Sequence, residues 1–193
     1  MGVAIDMDDV LVLFQPSLVR FLNQKYKTGL RVEDIVDYQL GRIWGVTEEE
    51  LVESIFEFYR TDLFQDMPPM PGSEKVIPLI SQEHSLYVIT SRPEWMKQQT
   101  YDWIGTHFPG MFSDVILTSQ CTLQEKGEKK SDVCQRLGAT VMIEDCLDYA
   151  LDCHLKGIRT IILDMPWNQG ALPKDMPRVY SWHQISGELA KNI

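Results

Sequence analysis

Five short apolar runs, at residues 3–5, 86–90, 115–118, 140–143 and 159–163, do most to limit what this chain can fold into. Each is rich in Val, Ile and Leu and lacks strict alternation, the pattern of strands buried on both faces. Helical patterns separate them. Residues 73–84 and 94–107 flank the second run, 131–137 stops at Gly138, and 147–156 stops at Gly157. A glycine just past the last helical residue supplies the left-handed turn that ends a helix. Strands alternating with helices predict an α/β fold, a Rossmann-like three-layer α/β/α core around a parallel five-stranded sheet.

The first interval breaks the rhythm. About 80 residues separate the first two runs, too many for one crossover helix. Residues 16–71 carry helical signals of their own. Pro16 suits the first turn of a helix over 16–26, and residues 32–38 form a second, short candidate. Thr47-Glu-Glu-Glu50 is a capping box opening a helix over 48–59, with acids at its positive end. Met67-Pro-Pro-Met-Pro-Gly72 breaks helix and strand alike and reads as a linker. The expected organisation is a core of residues 1–15 and 72–193 with a small helical cap, 16–71, inserted after strand one.

Charge narrows the function. Lys and Arg total 18 against 28 Asp and Glu, a formal balance of −10. Nucleic acid polymers and anionic membranes need clustered Lys and Arg, so neither is an expected partner. A small anionic substrate responds to the local field and is not excluded. The four cysteines, 121, 134, 146 and 153, form no CxxC pair and no zinc spacing, which predicts reduced thiols. With no signal-peptide pattern and no apolar run long enough to span a bilayer, the expected location is cytoplasmic.

The chemistry gathers where strands end. Ala4-Ile5-Asp6-Met7-Asp8-Asp9-Val10 places three carboxylates at the carboxyl end of strand one, the edge where open α/β sheets bind ligands. Carboxylates so close repel one another. A divalent cation with oxygen ligands offsets them, and Mg²⁺ suits sparse carboxylates plus a substrate phosphate. Strand two ends in Thr90-Ser91-Arg92, strand four in Glu144-Asp145, and Lys129-Lys130-Ser131 opens the helix before strand four. Singly, each has a plain structural reading as a turn, a helix cap or a solvated face. Together they make one phosphoryl-transfer site, with acids for a metal, hydroxyls and amides for phosphate oxygens, and a lysine to balance charge.

This arrangement resembles the haloacid dehalogenase-like (HAD) superfamily of phosphatases, over nearly the whole chain and in order. Asp6-Met-Asp8-Asp9-Val10 is similar to its DxDx[TV] motif, Thr90 to its second motif, Lys129 or Lys130 to its third, and Glu144-Asp145 to its fourth. The helical insert matches the cap of one subgroup. More narrowly, Ile143-Glu-Asp-Cys-Leu-Asp148 and Leu163-Asp-Met-Pro-Trp-Asn168 resemble the 5′(3′)-deoxyribonucleotidase family and its bacterial relatives.

The resemblance implies a Mg²⁺-dependent phosphomonoester hydrolase working through an aspartyl-phosphate. Asp6 is then the nucleophile, and Asp8 the general acid and later the base, with its pKa raised by its surroundings. Mg²⁺ is held by Asp6, the Asp8 carbonyl and Asp145, with Glu144 a further candidate ligand. Thr90 and Ser91 hold phosphate oxygens, and Lys130 balances charge. Lys130 is preferred to Lys129 because it precedes Ser131, a candidate helix cap. Haloacid dehalogenases lack the second Asp of the motif, so Asp8 favours phosphate chemistry.

Phe14, Arg42 and Trp44, with Tyr38, are candidates to stack a base and contact a sugar or phosphate, against the alternative that the aromatics are cap core. Arg92, beside the phosphate site, is a further candidate for substrate contact. The expected substrate is a small phosphomonoester such as a (deoxy)nucleoside monophosphate, with sugar phosphates as the alternative. A homodimer is compatible with the apolar cap residues. A receiver-like signalling domain is the non-enzymatic rival, but receivers lack the insert and place the phosphoacceptor and acid pair on different strands. A catalytically silent binding domain is the other.

Overall fold

The apolar runs form strands. In the computed structural model, which describes residues 1–37, 40–119 and 127–191, these are β1 (Gly2–Ile5), β2 (Ser85–Thr90), β3 (Asp114–Leu117), β4 (Ala139–Glu144) and β5 (Arg159–Leu163). Tyr38 and Cys121 lie outside the described residues. A sixth strand, β6 (Arg178–Val179), extends the sheet, so the expected five become six, all parallel, in the order β3-β2-β1-β4-β5-β6. Two residues are too few to show a period. β6 is held by its neighbour, with Asp164 N–H donating to the Val179 carbonyl at 2.7 Å.

Strand order reverses direction at β1, which has β2 on one side and β4 on the other. That reversal opens a crevice at the carboxyl edge. Ile5 is level with both Val88 and Ile143, so Asp6 and Glu144 leave the sheet side by side. Helices α5 (Ser73–Ile80), α6 (Lys97–His107), α7 (Lys130–Leu137), α8 (Leu147–Leu155) and α9 (Trp182–Ala190) complete the core. Gly138 ends α7 in the left-handed conformation, φ 67°.

The insert folds as α1 (Phe14–Tyr26), α2 (Leu40–Trp44), α3 (Glu48–Phe58) and α4 (Asp62–Gln65). The capping box forms as its spacing requires, with Glu50 N–H on the Thr47 hydroxyl at 3.2 Å and Thr47 N–H on the Glu50 carboxylate at 2.9 Å. Such a cap contributes about 1 kcal/mol. The first insert helix starts two residues earlier than expected, because Asp9 (φ 58°) turns its carboxylate onto the Gln15 amide at 2.9 Å. The short helix expected over 32–38 is a single 3₁₀ turn, Val32–Asp34, closed by the Asp34 carboxylate on the Arg31 amide at 2.7 Å.

Phe58, fully buried, centres the insert's interior, its ring 5.5–5.7 Å from those of Phe14, Phe21 and Phe64. Contacts of this kind are worth about 1 kcal/mol each beyond area burial. The outgoing and returning chains pair with each other where they leave the sheet: Leu13 N–H meets the Pro68 carbonyl at 3.0 Å, and Met70 N–H the Leu11 carbonyl at 2.7 Å.

Candidate active site

Three carboxylates meet at the reversal point. One oxygen from each of Asp6, Glu144 and Asp145 can be chosen so that all lie within 4.8 Å of one another, and all three side chains are buried. Lys130, from the first turn of α7, enters the cluster. Its Nζ lies 2.8 Å from Asp6 Oδ1 and also contacts Glu144 Oε1. Three carboxylates and one ammonium sum to −3 + 1 = −2, an excess that buried groups do not tolerate unaided.

The protonation equilibria register that excess. Burial, and next the Glu144 charge, push the Asp6 carboxyl up to about 7 against the pull of Lys130. Burial and Glu144 likewise raise Asp145 well above the usual carboxylate range. Burial alone would lower the Lys130 ammonium; Asp6 and Glu144 outweigh it and hold Lys130 well above the usual lysine value. The donors are all oxygen, as a hard divalent cation prefers, so the residues present fit such an ion.

Both oxygens of Glu144 already take part in hydrogen bonds. Lys130 takes Oε1, and Oε2 accepts the Asp145 and Cys146 amides at 2.8 and 3.0 Å. Its visible work is to anchor the lysine. Lys129 instead points outward to Asp152 at 2.9 Å. Ser131 is not the helix cap: Lys129 holds that position, and the Ser131 hydroxyl bonds Asp152 at 2.5 Å.

Asp8 meets a guanidinium. Arg92 Nε and Nη2 reach its two oxygens at 2.9 and 2.6 Å, while Nη1 bonds Thr100 at 3.2 Å. Arg92 is only 4% exposed, and it lines the cleft with one bond already made by each of its three nitrogens. The Thr90 hydroxyl accepts the Arg92 amide at 3.2 Å, and Thr90 is fully buried. Ser91 lines the cavity.

That cavity measures about 750 Å³ and runs between sheet edge and insert. Asp6, Asp8, Asp145 and Ser91 lie on its core side, and Phe14, Phe56 and Tyr59 on its insert side. A smaller recess of about 270 Å³, lined by Phe56, Tyr59, Arg60, Trp95 and Gln99, adjoins it. Trp95 stacks on Phe56 (centroids 5.7 Å, planes 27° apart) and meets Tyr59 edge-on at 5.6 Å. Gln15 also lines the cavity, 4% exposed, its Oε1 without a hydrogen-bond partner among the described residues.

Two expected substrate contacts are elsewhere. Trp44 is buried among the insert's apolar residues, and Arg42 projects to solvent on Asp37 at 2.7 Å. A five-residue helix gives them no common face toward the cleft. Phe56 and Tyr59 do have a sequence signal, an i, i+3 pair at the C-terminal end of α3, Tyr59 being its cap residue; Trp95 approaches them only through the tertiary fold. Tyr149 also lies at the cleft, under Lys130 Nζ, 4.6 Å from the ring centre.

A parallel α/β sheet with a carboxylate and a lysine in contact at its reversal point, under a helical insert, is the architecture of HAD-like phosphomonoester hydrolases. Within that class the chain belongs to the family described as "5′ nucleotidase, deoxy (Pyrimidine), cytosolic type C protein", whose model matches residues 1–192. It is 24% identical over 165 residues to a nucleotidase of Clostridium acetobutylicum, covering 86% of this chain and 81% of that one. It is 23% identical over 191 residues to the 5′(3′)-deoxyribonucleotidase of Bacillus subtilis, covering 97% of each. The fold is similar to a HAD-like hydrolase of Streptococcus pneumoniae (TM-score 0.72, 13% identity, 97% of each chain). It is also similar to the HAD hydrolase YfnB of Bacillus subtilis, solved with magnesium bound (TM-score 0.67, 17% identity, 100% and 98% of the chains). No helix among the described residues is long and apolar enough to cross a membrane.

Proposed function

We propose that the protein hydrolyses nucleoside monophosphates through a phosphorylated Asp6, with Mg²⁺ as the metal. The observation that carries this reading is the Asp6–Lys130 contact at 2.8 Å, beside Asp145, at the base of a cavity whose far wall is aromatic.

In this mechanism the substrate phosphate enters the crevice and its oxygens meet Ser91 and Lys130. An Asp6 oxygen attacks phosphorus in line with the ester oxygen, the P–O ester bond breaks, and the leaving alkoxide takes a proton from Asp8. Asp8, now a carboxylate, removes a proton from water, which attacks the phosphorus of the Asp6 acyl phosphate; the bond from phosphorus to the Asp6 oxygen breaks, freeing phosphate and restoring the Asp6 carboxylate. General acid–base help of this kind is worth about 10²–10⁴ in rate. For Asp8 to donate, one of its two bonds from Arg92 must open. Mg²⁺, held by Asp6, the Asp8 carbonyl and Asp145, would neutralise charge between nucleophile and phosphate.

Phe14, Phe56, Tyr59 and Trp95 favour a ring-bearing leaving group over a sugar phosphate. Every base has a flat face, and stacking it on an aromatic is worth about 1–3 kcal/mol. The family match and the deoxyribonucleotidase relative support the same substrate class. The insert, residues 16–71, serves in this reading as the selecting cap. The test is a phosphomonoester panel of deoxynucleoside, ribonucleoside and sugar phosphates, with Mg²⁺ and with EDTA. Turnover confined to Mg²⁺ and highest for nucleotides is expected. A preference for sugar phosphates would retire the substrate, and turnover in EDTA would retire the metal.

A further inference from the structure

The segment Met165-Pro-Trp-Asn168 has no part in the mechanism so far, yet it closes on Asp145 from two directions. Trp167 Nε1–H donates to Asp145 Oδ2 at 2.8 Å. Asn168 Nδ2 donates to the Asp145 main-chain carbonyl at 2.6 Å and to the Leu163 carbonyl at 2.8 Å. Trp167 is 8% exposed and Asn168 fully buried. A buried tryptophan usually finds an acceptor for its N–H, and a backbone carbonyl serves Trp103 and Trp182. Trp167 instead spends its donor on the carboxylate of the acidic cluster.

The turn itself is braced. Arg178, on the two-residue strand β6, donates to Asn168 Oδ1 at 2.6 Å and to the Asn168 carbonyl at 2.7 Å. Met165 N–H adds a bond to Asn168 Oδ1 at 3.1 Å. A chain of partners thus runs from the sheet's last strand to one carboxylate, gripping its backbone and its side chain separately.

We propose that Trp167 is a positioning residue for metal binding: it fixes Oδ2 of Asp145 and leaves Oδ1 turned to the cation. The proposal rests on the Mg²⁺ site described above and gives the 166–168 turn a function. Partners that orient a metal-binding side chain typically govern ten- to hundredfold in metal affinity. A ligand carboxylate free to rotate must be ordered when the ion binds, and the indole has done this beforehand.

The test is calorimetric titration of Mg²⁺ into metal-free protein, wild type against Trp167→Phe, which keeps a buried ring and removes the donor. Mg²⁺ affinity lower by roughly tenfold or more is expected, with the circular dichroism spectrum retained. A folded Trp167→Phe binding Mg²⁺ as tightly as wild type overturns the proposal. Should that variant not fold, the wild-type indole ¹H–¹⁵N resonance of Trp167 decides. It must shift as Mg²⁺ saturates the site, and a resonance that stays fixed overturns the proposal. Wild-type protein that binds no Mg²⁺ removes the metal reading itself, an outcome distinct from unchanged affinity in the variant.

Discussion

Arg92 clasps Asp8 with a two-pronged ion pair, Nε to Oδ2 at 2.9 Å and Nη2 to Oδ1 at 2.6 Å. A fork of this kind sets the plane of the carboxylate as well as its place, which a lysine cannot do. Arg92→Met and Arg92→Lys should therefore both lose kcat, by roughly ten- to hundredfold given the usual worth of a placed acid–base group. The loss should be larger for an alkyl phosphate than for p-nitrophenyl phosphate, whose leaving group needs no proton. Equal losses on both substrates would argue that Arg92 acts elsewhere.

Asp6→Asn should separate chemistry from stability. Removing the proposed nucleophile should lower turnover by roughly a thousandfold or more. Above about pH 7, where Asp6 is ionised, the same change takes one charge out of a buried cluster whose fully ionised groups sum to two negative charges in excess, so there the metal-free variant should melt no lower than metal-free wild type. Phosphate release and thermal denaturation in EDTA measure the two effects. Near-native turnover would refute the assignment of Asp6.

Metal-free protein should become less stable as pH rises from about 4 to about 7. The folded state holds the Asp6 proton up to about 7, whereas the unfolded chain releases it near the usual 3.8. The resulting stability is fully present below the unfolded value and lost as pH climbs through the folded one. About three pKa units at 1.36 kcal/mol each set a ceiling of about 4 kcal/mol. Asp145, raised in the same direction, adds to the slope. Melting curves in EDTA should show the decline, and excess Mg²⁺ should flatten it; a melting temperature that rises across this window would contradict the cluster's charge balance.

The aromatic wall yields a substrate-specific prediction. Trp95→Ala should raise KM for a deoxynucleoside monophosphate by roughly tenfold and barely move KM for glycerol phosphate. Trp44→Ala, which empties a buried site in the insert, should cost about 3 kcal/mol in stability and leave the ratio of the two KM values alone. Arg42→Ala, an exposed pair with Asp37, should change stability by no more than about 0.5 kcal/mol. A shift in substrate preference from Trp44→Ala would restore that residue to the site.

What could be read from the chain depended on the range of the forces involved. Buried strands need continuous apolar runs, so β1, β2, β4 and β5 were legible, and the half-buried edge strand β3 kept enough of the pattern to be read with them; strand ends then placed Asp6, Lys130 and Asp145 at one edge. Strand β6 is two residues long and owes its existence to β5. The Asp8–Arg92 fork joins residues 84 positions apart, and no local pattern announces it. Trp44 and Trp95 are the same residue type in similar company. Only the packed fold buries one in the insert and leaves the other 53% exposed beside the cleft.

The paired segments at Leu11–Leu13 and Pro68–Met70 have a consequence for inheritance. The insert leaves and rejoins the sheet at one place, its two connections bonded to each other. Under the proposed function, the chain is thereby divided into a part that breaks phosphate esters and a part that selects them, joined at a single seam. Residues beyond that seam can then drift, lengthen or be exchanged while Asp6, Lys130 and Asp145 keep their geometry. New substrates can thus be acquired without reinventing the reaction.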